Sequence, residues 1–511
     1  MPYARLTALI ALALALALLG SCNFQQVNRT LVPASAVATL DHKSPFLKAH
    51  LRDGTMYVLG QWNVDSTSNR IQGTGALLGV NRDTLQQGLL SIGVASVALF
   101  ETNVVRGSGA KTALTVMTGI TAAVAGFCLT NPKACFGSCP TFYIADSTGQ
   151  HLQAEGFSAS IAPALEATDL DALWHAQGTS RTFDVQMKNE AFETHVVRHV
   201  DVLAVPRPKN GRVVVDDGGT FHAATAITAP VMCRGAEGDC LPAVRNFDGE
   251  YRLSTTDSTD LAAREVVELS FPTRSGQQGL ILATRQSLLS TFVLYQGLAY
   301  LGTEAAPLLA RLDAGIESPM VAGIGKVLGR IEVQVPDAEG GWITVGMVGE
   351  TGPLATDTKV VPLPVQHGTT RVRLRMTQGL WRLDWIALAN LAPAAAAVRL
   401  EPTVVMRDGR KNMVALATFR SRSAAVTSMP GDEYTLRYQL PAPPKSLELF
   451  LEARGYYLEW MRQEWLAEED HGKATRFLLD PAAMMRALAP AYKSQEAEMD
   501  AIFWGSAYVR H

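Results

Sequence analysis

Arg371-Val372-Arg373-Leu374-Arg375-Met376, followed by Trp381-Arg382-Leu383-Asp384-Trp385-Ile386-Ala387-Leu388, is the stretch that decides the fold class. Val372, Leu374 and Met376 alternate with three arginines, the period of a strand with one dry face and one wet face. Upstream, Ile331, Val333 and Val335 alternate with Glu332 and Gln334, a turn at Glu339-Gly340-Gly341 follows, and Trp342 to Val348 reads as the returning strand. Several short strands with glycine turns predict a β-sandwich over 329–393. Alternation also puts Trp381, Leu383 and Trp385 on one face, as core. Trp342, Arg373, Trp381 and Trp385 are the candidate ligand-binding residues, since aromatic faces stack on sugars and guanidinium groups bond their hydroxyls.

The order of features in this sandwich resembles jelly-roll, galactose-binding-like domains, without a matching ligand-binding residue. Working outward, the chain predicts a β-rich multi-domain (α+β) protein with a few buried or amphipathic helices. The segment 44–134 reads as a small N-terminal β unit plus an apolar helix. An Asp53-Gly54 turn sits between two short strands there, and Gly73-Thr74-Gly75 lacks phosphate-loop spacing and reads as an ordinary glycine loop. Thr112 to Thr130 holds no charge, and its favoured reading is a helix packed against the protein, with spanning or interfacial placement as the other readings.

The segment 135–275 is a central β region. Its His195 and His199 fall on a strand, on one face, ~13 Å apart at the backbone, which disfavours a metal pair. Residues 276–328 read as helical, with Leu288, Phe292, Tyr295 and Ala299 at helical spacing within the apolar stretch Leu280 to Leu301. The C-terminal α+β region, 394–511, opens after Ala394-Ala395-Ala396-Ala397. It holds a strand at Leu447 to Ala453, an amphipathic helix from Tyr456 to Glu469, and a helix started by Asp480-Pro481.

Residues 1–21 form a signal peptide: Arg5, then a run of ~13 apolar residues to Leu19, short of the ~20 needed to cross a bilayer. Leu19-Gly20-Ser21-Cys22 resembles the lipobox of bacterial lipoproteins. That resemblance implies acylation of Cys22 by fatty chains such as palmitate, a lipidated tether over 22–43, and a membrane partner reached through the anchor. Asn23 in place of the Asp that retains such proteins at the inner membrane implies the outer membrane of the cell envelope, facing the periplasm. The segment CFGSCPTFY, with AEGFSASIAPALEATDLDAL and NEAFETHVVRHVDVLAV, resembles an uncharacterised family of exported bacterial lipoproteins. The family implies no catalytic residues.

Export makes disulfides expected among Cys135, Cys139, Cys233 and Cys240, with Cys128, inside an apolar run, as the odd thiol. Cys135 and Cys139 read as a small staple, with a second staple at Cys233 and Cys240 or cross-pairing between the two pairs.

The 511 residues carry a net charge of −3, with no basic block, which argues against a nucleic-acid partner. No G-x-S-x-G, HExxH, Walker or dinucleotide pattern occurs. Paired carboxylates, such as Asp216-Asp217 and Asp257 with Asp260, sit in turns. The sequence therefore predicts no cofactor, no metal, and a non-enzymatic envelope lipoprotein acting as a binding or assembly module toward an envelope protein or a glycan. The alternatives are a carbohydrate- or peptidoglycan-binding lipoprotein using the 329–391 sandwich, and an enzyme of unfamiliar type.

Overall fold

The computed structural model describes residues 26–106, 139–302 and 325–499, apart from short interruptions of which 460–467 is the longest. The lipobox with Cys22, the apolar 112–130 segment, Cys128 and Cys135 lie outside the described residues. The fold is the β-rich multi-domain arrangement that the alternations predict. Two compact units divide the chain near residue 120.

The first unit is one six-stranded antiparallel sheet. Phe46–Leu51, Met56–Asp65, Arg70–Leu78 and Thr84–Gly93 form a meander, and Val97–Arg106 and then Gln26–Pro33 extend its other edge. Leu47, Leu59, Ile71 and Phe100 fill its dry face. Two expectations change here. Part of the segment expected as a tether, Gln26–Pro33, is a strand in register with Val97–Arg106. Gly73-Thr74-Gly75 lies within a strand rather than a loop, and position 75 must be glycine there, since a Cβ would fall 1.9 Å from the Val58 carbonyl oxygen.

The second unit holds two sandwiches, one interrupting the other. The first sandwich uses 139–206 and 398–459. One of its sheets runs Arg410–Lys411, Val404–Arg407, Glu433–Gln439, Thr182–Lys188, Thr141–Asp146, Gly149–Glu155. The other runs Val398–Leu400, Glu193–Pro206, Leu447–Glu459, Ala167–Ala172, with Val426–Ser428 added beside Glu193–Pro206. Phe142, Val185 and Leu436 from one sheet meet Val197, Val200 and Leu451 from the other, and Phe419 enters from helix Met413–Ser421. Tyr456 to Glu459, expected to open a helix, continue strand Leu447–Glu459 instead and stay in register with Glu193–Pro206. Long-range pairing overrides local helix periodicity there.

The second sandwich occupies 211–393. Gly211–Val215, Phe221–Thr228, Trp381–Pro393, Gln278–Gln286 and Asp357–Leu363 close into a barrel. The barrel stacks on a sheet ordered Gly238–Asp239, Met232–Gly235, Arg264–Phe271, Thr370–Thr377, Ile331–Pro336, Trp342–Val348. Val267, Leu269, Val333, Val372 and Leu374 of that sheet pack on Leu280, Leu282, Leu383 and Leu388 of the barrel. Thus the strands of 329–393 do not form a sandwich by themselves; both of their sheets include strands from 211–286. Of the apolar stretch expected as helix, Gln278–Gln286 is a barrel strand and only Leu289–Leu301 is helical. That helix, with His471–Leu479 and Pro481–Lys493, adds Val293, Phe477, Met485 and Leu488 to the same core. Pro481 occupies the first turn of its helix and Asp480 caps it, as the sequence predicts.

Buried charge lies where the two sandwiches meet. Glu448 of the first, fully buried, receives both guanidinium arms of Arg212 (Nε to Oε2 and Nη2 to Oε1, each 2.7 Å), the Val213 amide at 3.2 Å and Arg207 at 3.3 Å. Asp357 of the second accepts the Ala172 amide at 3.0 Å, and Lys359 donates to the Leu170 carbonyl at 2.6 Å. Glu155 accepts the Leu354 amide at 2.8 Å.

Burial pushes Glu155 from the ordinary glutamate value of 4.5 up to about 7, against the lowering effect of its amide bonds. The folded chain therefore keeps a proton on Glu155 at pH values where the unfolded chain has lost it. Stability from this group is greatest below about pH 4.5 and falls as pH rises to about 7. Urea unfolding between pH 4.5 and pH 8 is expected to show wild type losing on the order of 3 kcal/mol relative to Glu155→Gln. Parallel pH dependence of the two proteins contradicts this reading.

Candidate functional site

A cleft of about 580 Å³ opens at the junction of the two sandwiches. The hairpin Thr141–Asp146 and Gly149–Glu155 forms one wall, the 172–175 segment its floor, and Phe247, Asp248, Gly249 and Asp384 the opposite wall.

Trp174 is fixed before any ligand arrives. The Arg212 guanidinium lies 3.6 Å over its ring, and Nη2 of the same arginine donates to the Trp174 carbonyl at 2.8 Å. Since Arg212 is also the partner of Glu448, one arginine ties the cleft floor to the joint between sandwiches. Trp385 meets Trp174 at 5.3 Å between ring centroids. Phe247 stacks on Trp385 at 6.2 Å and 11° and meets His175 edge-on at 4.6 Å. These separations fall in the range of favourable aromatic pairs.

Asp384 shapes the far wall. Its Oδ1 accepts the Asp248 amide at 3.2 Å and the Gly249 amide at 3.3 Å, which holds the loop carrying Phe247. Burial pushes its carboxyl up to about 6, with the two amide bonds opposing that rise. At the rim, His151 and Asp146 approach within 3.1 Å. His175 is held below the usual histidine value, first by burial and then by Arg212, so its ring is neutral at physiological pH. The wall therefore combines aromatic surface with carboxylate and carboxamide acceptors (Asp146, Asp248, Gln150, Gln153). Such a lining suits a ligand with an apolar face and outward-pointing hydroxyl donors.

The four residues expected from sequence do not converge. Trp381 is fully buried in the second sandwich's core. Trp385 points the other way, into the barrel with Ile281, Val360 and Ala389. The cause is a bulge: Ala283 pairs with Trp385 but Thr284 pairs with Leu383, so Asp384 is the extra residue and every later side chain changes face. Trp342 lies on the second sandwich's other sheet, where Arg373 and Arg371 stand 4.8 and 5.3 Å from its ring centroid. Arg373 is further held by Gln334 at 2.6 Å.

A second bulge, between Val197 and His199, separates the two histidines. His195 keeps the face of Val197 and approaches Glu193 at 3.1 Å and the ring of Tyr457, whereas His199 turns to the opposite face beside Glu452 at 3.2 Å. His199, Asp201 and Glu452 present ligand-type atoms within 4.8 Å of one another. Two arginines already occupy them: Arg399 bonds Asp201 and Glu452 at 2.8 Å each, and Arg422 bonds Asp201. His199 and Arg399 hold Glu452 down to about 2. The trio is an ion-pair network, and a cation would have to displace guanidinium groups to enter it.

Cys233 and Cys240 form the second expected disulfide, stapling the edge of the outer sheet. Cys139 is instead a buried free thiol beside Glu155, pushed up by burial and then by Glu155 and Glu193, which makes it a poor nucleophile. Asp216 and Asp257 serve in turns, accepting the amides of Thr220 and Thr259 respectively. Trp174, Phe247 and Asp384, which build the cleft, carry no shared spacing or motif; only the pairing of distant strands brings them together.

No family model matches the chain. No curated protein matches it either. Among solved structures, it is similar to an allantoicase at 10% identity, covering 53% of this chain and 98% of that one with a TM-score of 0.18. It is also similar to tripeptidyl peptidase 2 at 8% identity, covering 94% and 33% with a TM-score of 0.16. A mycobacterial arabinofuranosyltransferase matches at 10% identity, covering 86% and 32%, also with a TM-score of 0.16.

Proposed function

We propose that this chain is a non-catalytic binding protein of the bacterial cell envelope, anchored through acylated Cys22, whose cleft between the two sandwiches takes a saccharide unit of an envelope glycan. The observation that carries the ligand class is the joining of the aromatic groups Trp174 and Phe247 with the side-chain acceptors Asp146, Gln150, Gln153 and Asp248 in one cleft of about 580 Å³. A sugar ring offers an apolar face to aromatic groups and hydroxyl donors to carboxylates and carboxamides. Asp384, the carboxyl with a raised proton affinity in this cleft, uses Oδ1 to hold the neighbouring loop. That commitment favours binding over acid catalysis. The anchor rests on the lipobox and its following Asn23, which favour a periplasm-facing position on the outer membrane. Two or three acyl chains suffice for durable anchoring, at ~0.8 kcal/mol per buried CH₂. Among the described residues, no helix is long and apolar enough to cross a membrane.

Soluble peptidoglycan fragments titrated against the protein should change tryptophan fluorescence and bind saturably. Phe247→Ala is expected to weaken that binding about tenfold, and Trp342→Ala to leave it unchanged. Loss of binding in Trp342→Ala alone, or no saturable binding to any fragment, contradicts the assignment. For the anchor, Cys22→Ser should abolish palmitate labelling and release the protein from envelope membranes; a labelled, membrane-bound variant contradicts it.

A further inference from the structure

A second cavity, of about 410 Å³, lies on the same junction but is built from different residues. The end of strand Gly149–Glu155 and Tyr457 close it from the first sandwich, and helix Leu289–Leu301 with Leu328 and Leu380 closes it from the second. Ile161, Leu294, Leu328 and Leu380 make its walls apolar.

The Cys139 thiol bonds the Glu155 carboxyl, but two acceptor atoms lining this cavity, on Glu155 and Gln286, have no N–H or O–H partner among the described residues. Glu155, 1% exposed, uses Oε2 for the Leu354 and Ala355 amides, and its Oε1 is buried without a hydrogen bond. Gln286, 6% exposed, has its Oε1 in the same condition. A buried acceptor left without a donor costs ~1–3 kcal/mol, and more when charged, so two in one cavity is an arrangement that a donor-bearing ligand would relieve. The Cys139 thiol lies beside Glu155, and above about pH 7 the ionised Glu155 favours a cation over an anion. Arg330, at the margin, is engaged by Asp217 at 2.8 Å.

We infer that this cavity is a binding site for a small primary amine with an apolar body, its ammonium donating to Glu155 Oε1 and Gln286 Oε1 while the hydrocarbon fills the Ile161, Leu294, Leu328 and Leu380 enclosure. The site is separate from the aromatic cleft, so the two assignments stand or fall independently.

The test uses 2-phenylethylamine and its neutral counterpart 2-phenylethanol as probes, titrated calorimetrically into the full chain at pH 8, above the value of about 7 to which burial raises Glu155. The amine is expected to bind about tenfold more tightly than the alcohol, the advantage of a charge-assisted hydrogen bond. Glu155→Gln should reduce that preference to about twofold or less, whereas Phe247→Ala should leave it intact. A second measurement needs no variant: the amine should raise the urea midpoint of the wild-type protein, and the alcohol at equal concentration should raise it less. Equal affinity for the two probes, absence of binding, preference retained in Glu155→Gln, or equal stabilisation by amine and alcohol would each overturn the inference.

Discussion

The carboxylate of Glu448 is the point on which the second unit turns. It is fully buried at the first residues of strand Leu447–Glu459, and its partners Arg207, Arg212 and the Val213 amide all lie where the chain leaves one sandwich and enters the other. A buried carboxylate without partners is costly, so this group demands that the inserted sandwich be docked. Around it, Ala172, Leu203, Val205 and Phe450 of the first sandwich pack on Val213 and Val215 of the second. Apolar contact supplies attraction here, and the charge supplies the register between the bodies. Arg212 then extends the constraint to Trp174, and so to the floor of the cleft.

Interruption of one sandwich by another explains why both cavities sit at the joint. Each sandwich fills its own interior, and the space for ligands arises between them, where shape is set by two bodies rather than one. The same joint concentrates acids. Asp169 and Asp171 lie near Asp357 and Lys359, and burial pushes both aspartates up, most strongly Asp171. With Glu155, these carboxyls bind protons more readily in the docked state than in an unfolded chain, and proton binding thereby favours docking.

Strand identity was legible wherever one face is wet: the arginines of 371–375 and the carboxylate of Glu332 mark their strands directly. The disulfide between Cys233 and Cys240, the helix opened by Asp480-Pro481 and the turn roles of Asp216 and Asp257 follow from local chemistry, and local chemistry is what a sequence displays. Bulges are different. One extra residue at Asp384 sends Trp385 to the opposite face from Trp381, and one near Arg198 parts His195 from His199; neither carries a glycine or proline to announce it. Strand Gln278–Gln286 is apolar on both faces because it lies in a barrel covered outside by a second sheet, and such a strand has no period to separate it from a buried helix. The insertion itself is invisible locally, since Pro206 pairs with Leu447 across the whole of the second sandwich. Hence the cleft residues Trp174, Phe247 and Asp384 could not be grouped from their spacing.

The most direct measurement of this account is a double-mutant cycle on Arg212→Ala and Glu448→Gln, read by urea unfolding of the full chain. If one buried ion pair sets the joint, the two substitutions should be coupled by about 2 kcal/mol or more, with either single change costing nearly as much as both. Coupling below about 0.5 kcal/mol would mean that the sandwiches are held by other contacts, and the Glu448 account of the junction would be wrong.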